Sequence, residues 1–182
     1  MHERAAEWAG LVTFEAELER EFEARLIECS TLAYRVAFTV LRHREDAEDV
    51  AQEAFAKAYR NFRQLRDRAR FRAWLVRMAW RMALDRQRAN RRRTVREDGL
   101  RSPDAILPQV EADQRSQMLW RAIDTLSEKL RVVIVLAAIE GYDVREVAAL
   151  LELPEGTVKS RLFLARQHLK DALISMERTG SR

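Results

Sequence analysis

Cysteine occurs only once in this chain, at Cys29, which excludes an intrachain disulfide and a cysteine-based zinc site. Cys29 falls on the apolar side of a helical pattern, where it packs as a small hydrophobe. His2, His43 and His168 are too scattered to form a metal set, so no cofactor is expected. Proline (three) and glycine (five) are scarce in 182 residues rich in Ala, Leu, Glu and Arg. That scarcity argues against loop-rich folds and for an all-α protein. No run of about 18 apolar residues and no basic-then-apolar leader is present, so we expect a cytoplasmic chain without direct membrane insertion. With 47% apolar residues the chain can bury a real core, and its length suits one domain or two small ones.

The net charge is only +4, but it is unevenly spread. Acids dominate up to Tyr59: Glu15, Glu17, Glu19, Glu21, Glu23, Glu45, Asp46, Glu48, Asp49 and Glu53. Between Arg60 and Arg101 only Asp67, Asp85, Glu97 and Asp98 oppose a long series of arginines. Such asymmetry points to one face for a polyanion and another for a basic protein surface. A membrane surface could also attract arginines, but no segment pairs them with a broad exposed apolar face.

The stretch LELPEGTVKSRLFLAR, residues 151–166, organises the carboxyl half. Gly141 can end one helix, and Asp143 with Glu146 reads as a capping box starting a short helix over residues 144–151. After a turn at Glu152 and Leu153, Pro154 suits a first helical position, and a second helix runs from about 155 towards Met176. Two helices so joined form a helix-turn-helix, with Val147, Ala148, Leu150, Leu151, Val158 and Leu162 facing one another. Lys159, Ser160 and Phe163 then face outward, where a recognition helix meets a major groove. Lysine and serine serve base edges or phosphates, and phenylalanine a thymine methyl. An ordinary helical hairpin with a solvated lysine and serine has the same spacing.

In the amino half, residues 1–12 read as a frayed tail, and Thr13 as the cap of a helix in which Phe14, Leu18, Phe22, Leu26 and Cys29 recur, continuing to Leu41. The next helix, about residues 45–62, buries Ala47, Val50, Ala51, Ala54, Phe55, Ala58 and Phe62. Asp49, Gln52, Glu53 and Ala56 point away from that stripe. This is either a solvated face suited to the helix dipole or an acidic dock for a basic partner helix, with the small Ala56 permitting close approach. As a third reading, Asp46, Glu48, Asp49 and Glu53 would form a metal-dependent nuclease site, but they fan around the helix and no histidine joins them.

An Arg-rich loop over residues 63–70 leads to a helix from Phe71 to about Arg92. Its core stripe is Phe71, Trp74, Leu75, Met78, Ala79 and Met82. Arg70, Arg77, Arg81, Arg88 and Arg92 are spaced seven, four, seven and four apart, which stacks them into one row. Such a row suits phosphate tracking, and a solvated basic face is the plainer reading. Val76, Trp80 and Leu84 fall opposite the core stripe, so Trp80 is either covered by another element or a stacking platform for an unpaired base. Asp85 reads as an ion-pair partner for a neighbouring arginine. Residues 94–113, with Gly99, Ser102, Pro103 and Pro108, read as a linker. Met118, Leu119, Ala122, Ile123 and Leu126 begin a second helical set, and Ser127 reads as the cap of the helix carrying Leu130, Val133, Ile134 and Ala137.

Three segments in this order resemble the extracytoplasmic-function (group IV) sigma factors of bacterial RNA polymerase, in the sigma-70 family. They are AEDVAQEAFAKAY (47–59), FRAWLVRMA (71–79) with Asp85 and Arg88, and residues 126–169 containing EGYDVREVAALLELPEGTVKSRL. The resemblance covers roughly residues 14–173 and implies two small helical domains joined by a flexible linker. These are a region 2 domain at 13–93 and a region 4 helix-turn-helix domain at 114–176, with tails at 1–12 and 177–182. It implies polymerase docking by Asp49, Gln52, Glu53 and Ala56. It implies minus-ten recognition and melting by Asn61, Arg70, Arg77, Trp80, Arg81, Arg88 and Arg92, within the loop and helix that follow. For the minus-thirty-five element it implies Arg145, Thr157, Lys159, Ser160, Arg161, Phe163 and Arg166. The expected partners are core RNA polymerase, promoter DNA and an anti-sigma factor, with no small-molecule substrate and no catalytic role. The chain departs from the family pattern at Arg81, where Asn is common, at Glu152, where Gly is usual, and at Leu164, where a second arginine is common. The loop NFRQLRDRARF lacks its customary glycine. A free-standing helix-turn-helix regulator would explain the carboxyl half but not the helices before it, and a nucleic-acid-processing enzyme would need divalent metal.

Overall fold

The computed structural model describes residues 2–97 and 114–180. Among these the chain forms α1 (His2–Glu28), α2 (Leu32–Leu41), α3 (Arg44–Asn61), α4 (Phe71–Glu97), α5 (Gln114–Asp124), α6 (Glu128–Ile134), α7 (Val144–Leu151) and α8 (Glu155–Gly180), and no strand. Single 3-10 turns at Phe62–Gln64 and Arg68–Arg70 bridge α3 to α4, and α6 widens into π turns over Val135–Ile139.

Several boundaries differ from the sequence expectation. Helical backbone begins at His2, so residues 2–12 of the expected tail are part of α1 and Thr13 lies inside a helix. The single helix expected from Thr13 to Leu41 is broken at residues 29–31 by a tight turn, in which the Ser30 N–H donates to Ile27 at 3.3 Å and the Leu32 N–H to Cys29 at 3.0 Å. Helix α4 runs to Glu97, into the segment read as linker, and residues 98–113 lie outside the described residues. Helix α8 likewise runs through Gly180, into the expected 177–182 tail.

Around the helix-turn-helix the local chemistry is as read. The Asp143–Glu146 capping box is complete, with both bonds at 2.8 Å. Gly141 ends the preceding helix at φ +75. Pro154 sits one position earlier than expected: its carbonyl accepts from the Thr157 and Val158 N–H groups, which makes it the N-cap of α8. Ser127 holds the N-cap position of α6, but its side chain makes no capping bond.

In the amino half, α2 is the central helix, packed on α3 and α4, while Phe22, Phe62 and Phe71 meet edge to face with ring centroids 5.2–5.9 Å apart. In the carboxyl half α8 gathers α5, α6 and α7. The two halves also pack on each other, α2 against α6 and its π extension and α4 against α7, so one apolar core is continuous through both. This contact bears on Val76, Trp80 and Leu84, and for Trp80 it agrees with the first of the two open readings, cover by another element. Val76 is fully buried, and Trp80 and Leu84 are half-buried against the core, lining one pocket with Leu150 and Leu151 of the helix-turn-helix.

Candidate nucleic-acid and partner-docking faces

Helix α3 presents Asp49, Gln52, Glu53 and Ala56 together on its exposed side. Its first turn is fixed by His43, whose ring accepts from the Asp46 N–H at 3.4 Å, and by acids that complement the helix dipole. Sequence reasoning missed what orders this face: Arg86 of α4 lies 3.3 Å from Asp46, 3.6 Å from Asp49 and 3.9 Å from Glu53. Asn90 adds a bond to Asp46 at 2.9 Å, and Arg44 holds Glu48 at 2.8 Å. These pairings oppose the nuclease reading, since the four carboxylates answer to guanidiniums; among the described residues no three His, Cys, Asp or Glu gather for a metal ion. Asp49 and Glu53 still expose 62% and 61% of their side chains, so a partner can reach both.

The arginine row runs from the 3-10 turn before α4 along the surface of α4. Arg70, Arg77, Arg81, Arg88 and Arg92 are all exposed, and none is sealed in the interior. Two are held by local acids, Arg70 by Asp67 at 2.9 Å and Arg88 by Asp85 at 3.2 Å. The other two contacts come from the helix-turn-helix: Arg77 donates to the Ala149 carbonyl at 3.1 Å, and Arg81 pairs with Glu152. Two departures from the family pattern, Arg81 and Glu152, thus meet each other. Beside the row, the end of α3, the 3-10 turn and α4 enclose a cavity of about 580 Å³. Asn61, Trp74, Arg77 and Arg81 line it, and Asn61 is held in place by donating to the Lys57 carbonyl at 2.7 Å. Trp80 lies instead on the side facing Leu150 and Leu151.

Helix α8 displays Lys159, Ser160, Phe163 and Arg166 outward, while Val158, Leu162 and Ala165 are buried. Phe163 is 62% exposed, an aromatic ring that the fold itself does not use. Thr157 and Arg161 are half-buried at the edge of this face. Arg145 and Lys159 both approach Glu155, at 3.8 and 3.9 Å, and the Ser160 hydroxyl donates to the Thr157 carbonyl at 3.0 Å.

The residues that join the halves were also missed from sequence. Glu140 receives Arg35 at 2.6 Å and Arg72 at 3.0 Å, and Arg42 meets Asp124 at 2.6 Å. Arg131 is buried and donates to the carbonyls of Leu126 at 2.6 Å and Thr39 at 3.2 Å. It thereby caps the carboxyl ends of α5 and α2 from one point, while Gln87 takes the Val40 carbonyl at 3.2 Å. Burial pulls the Arg131 guanidinium down to about 10, with the Arg42 cation adding to the effect, and it stays charged at neutral pH. The signal was present in LRVVIVL, residues 130–136, since a lone arginine in such a run needs partners.

Among the described residues, an all-helical chain thus carries an exposed acidic helix, a basic row beside it and a helix-turn-helix in its carboxyl half. The family model for sigma-70 region 2 matches residues 26–93, and that for sigma-70 region 4 matches residues 116–169. The ECF RNA polymerase sigma-E factor of Escherichia coli (strain K12) is 34% identical over 152 residues, covering 74% of this chain and 78% of that protein. The RNA polymerase sigma-H factor of Pseudomonas aeruginosa is 33% identical over 142 residues, covering 71% and 74%. The ECF RNA polymerase sigma factor SigW of Bacillus subtilis is 31% identical over 153 residues, covering 77% and 82%. Among solved structures, the sigma factor RpoE in complex with the anti-sigma factor NepR from Bartonella quintana shares the fold, with TM-score 0.74 and 23% identity over 85% of this chain and 97% of that one. The chain belongs to the ECF sigma factors of the sigma-70 family, the subunits that direct promoter-specific transcription initiation by RNA polymerase. Proteins of this family are regulatory DNA-recognition subunits. Among the described residues no helix is long and apolar enough to cross a membrane.

Proposed function

We propose that this is a group IV factor that acts in the cytoplasm, has no catalytic chemistry of its own, and divides its work between domains at 13–93 and 114–176 joined by a linker at 94–113. Asp49, Gln52, Glu53 and Ala56 dock core polymerase. Asn61, Arg70, Arg77, Trp80, Arg81, Arg88 and Arg92 serve the minus-ten element and its melting, with the cavity beside Asn61 and Trp74 large enough for an unstacked base. Arg145, Thr157, Lys159, Ser160, Arg161, Phe163 and Arg166 read the minus-thirty-five element. Each domain binds weakly alone, and both bind strongly once polymerase fixes their separation. An anti-sigma protein is the expected antagonist, as in the NepR complex of the Bartonella quintana factor.

The observation that carries this reading is the pair of opposed faces on adjacent helices: exposed carboxylates ordered by Arg86 on α3, and exposed guanidiniums along α4. A free-standing regulator would have no use for the first. Reconstituted transcription with core polymerase, with sequencing of transcript start sites, tests it. Starts should cluster at promoters sharing two short elements, and Lys159→Ala with Ser160→Ala should weaken specific run-off more than non-specific DNA binding. Binding to an operator in the absence of polymerase, or cleavage of DNA with magnesium, would instead support the regulator or the nuclease.

A further inference from the structure

The connection from α3 to α4, residues 62–70, contains no glycine and takes no left-handed backbone, so side chains set its path. Asp67 shapes its second turn, accepting from the Ala69 N–H at 3.0 Å and pairing with Arg70 at 2.9 Å. Arg68 shapes the first. Its guanidinium donates to the Phe62 carbonyl at 2.5 Å, lies 4.0 Å over the centre of the Phe62 ring and approaches Glu21 of α1 at 3.9 Å. The same carbonyl accepts from the Leu65 N–H at 3.1 Å, the bond that closes this turn. One side chain thus ties the later part of the loop to a buried ring at its start and to α1.

Arg68 leaves only 26% of its side chain exposed, against 61% for Arg63 and 81% for Arg70, so it is turned to the protein while its neighbours face solvent. What the tie holds is a wall. Gln64 and Leu65, inside the stretch that Arg68 spans, line the cavity of about 580 Å³ together with Asn61 and Trp74. Asn61 and Trp74 are placed by α3 and α4, whereas Gln64 and Leu65 have only the loop to place them. A carboxamide tells bases apart only when its acceptor and donors are aimed at the matching edge.

We infer that Arg68 is a positioning residue for base selection at the minus-ten element: it fixes Gln64 and Leu65 as one wall of the cavity and so sets which base the cavity accepts, without touching that base. This rests on the reading of the cavity as the seat of an unstacked base. The planar fork of a guanidinium suits the task, since it donates to a carbonyl, faces a ring and meets a carboxylate at once.

The test uses holoenzyme reconstituted from core polymerase and the full chain, on promoters carrying each base at each non-template minus-ten position. Its readout is the ratio of run-off transcript from the best base to that from the next. Arg68→Ala should bring this ratio down about fivefold or more at one position, the low end of what one well-aimed base contact confers, and leave the ratios of the minus-thirty-five element unmoved. Arg66→Ala removes an exposed cation from the same loop and should lower initiation alike on every base. Glu21→Gln, on a helix that lines no part of the cavity, should lower the same ratio as Arg68→Ala, by less. Ratios kept by Arg68→Ala, lost equally in Arg66→Ala, or lost at both promoter elements would overturn the inference and leave the reading beneath it standing. A wild-type holoenzyme that initiates with no base preference at any minus-ten position would reject that reading as well.

Discussion

Arg131 shows how one residue can matter to both halves. Its guanidinium donates to the buried Thr39 and Leu126 carbonyls, near the end of α2 and just past α5, so Arg131→Met removes the donor of both. We expect a loss of about 3 kcal/mol in urea unfolding, larger than for removal of an exposed ion pair such as Arg44–Glu48, worth under about 1 kcal/mol. Tyr142 offers a pH test. Burial pushes its phenol up to about 12, against the Arg72 cation and with help from the Glu140 carboxylate. The unfolded phenol ionises near 10, so between about pH 10 and 12 only the unfolded chain has lost the proton, and stability falls across that window. Relative to Tyr142→Phe, the wild type should lose about 1 kcal/mol between about pH 9 and pH 11 in urea titrations, while Arg131 titrates in both chains and cancels. These residues were illegible in the sequence for a common reason. A helical pattern says which side of a helix is apolar, and a single Arg, Tyr or Glu inside an apolar run says only that a partner must exist.

At the scale of elements the sequence spoke more clearly. The capping box at Asp143, the left-handed Gly141 and the outward Lys159, Ser160 and Phe163 all followed from local rules, because caps and turns depend on neighbours a few residues away. Gly141→Ala tests one of them: a Cβ there meets nothing within 4 Å, so the cost is conformational alone, about 1 kcal/mol, read as a lower unfolding midpoint without a change in slope. The acidic side of α3 was legible too, but Arg86 was not, since 33 residues separate it from Glu53 in the chain. Charge reversal of Asp49 and Glu53 to lysine should abolish capture by core polymerase in a pull-down while helical circular dichroism is unchanged. Arg86→Gln, which frees the carboxylates without removing them, should weaken capture only a few-fold; equal retention of all three proteins would refute the docking assignment.

For the whole molecule, the sequence indicated two helical units but not that they meet, because periodicity carries no information about which apolar stripe finds which. Trp80 and Leu84 were the trace of that contact, apolar residues opposite the core stripe of α4 that line one pocket with Leu150 and Leu151. With one core running through both halves, neither should unfold independently, and calorimetry on the free chain should give a single transition whose van't Hoff and calorimetric enthalpies agree. The double variant Arg35→Leu, Arg72→Leu removes both cations from Glu140 and leaves its carboxylate buried and alone, at a cost of about 3–5 kcal/mol if the halves stay packed. Parting the halves lets that carboxylate reach water, so separation becomes the cheaper state. The variant should then melt in two transitions, each half by its own core, with α2, α3 and α4 in one and α5 to α8 in the other. A single transition merely shifted to lower temperature would mean that apolar contact alone couples the halves and that Glu140 is not what holds them.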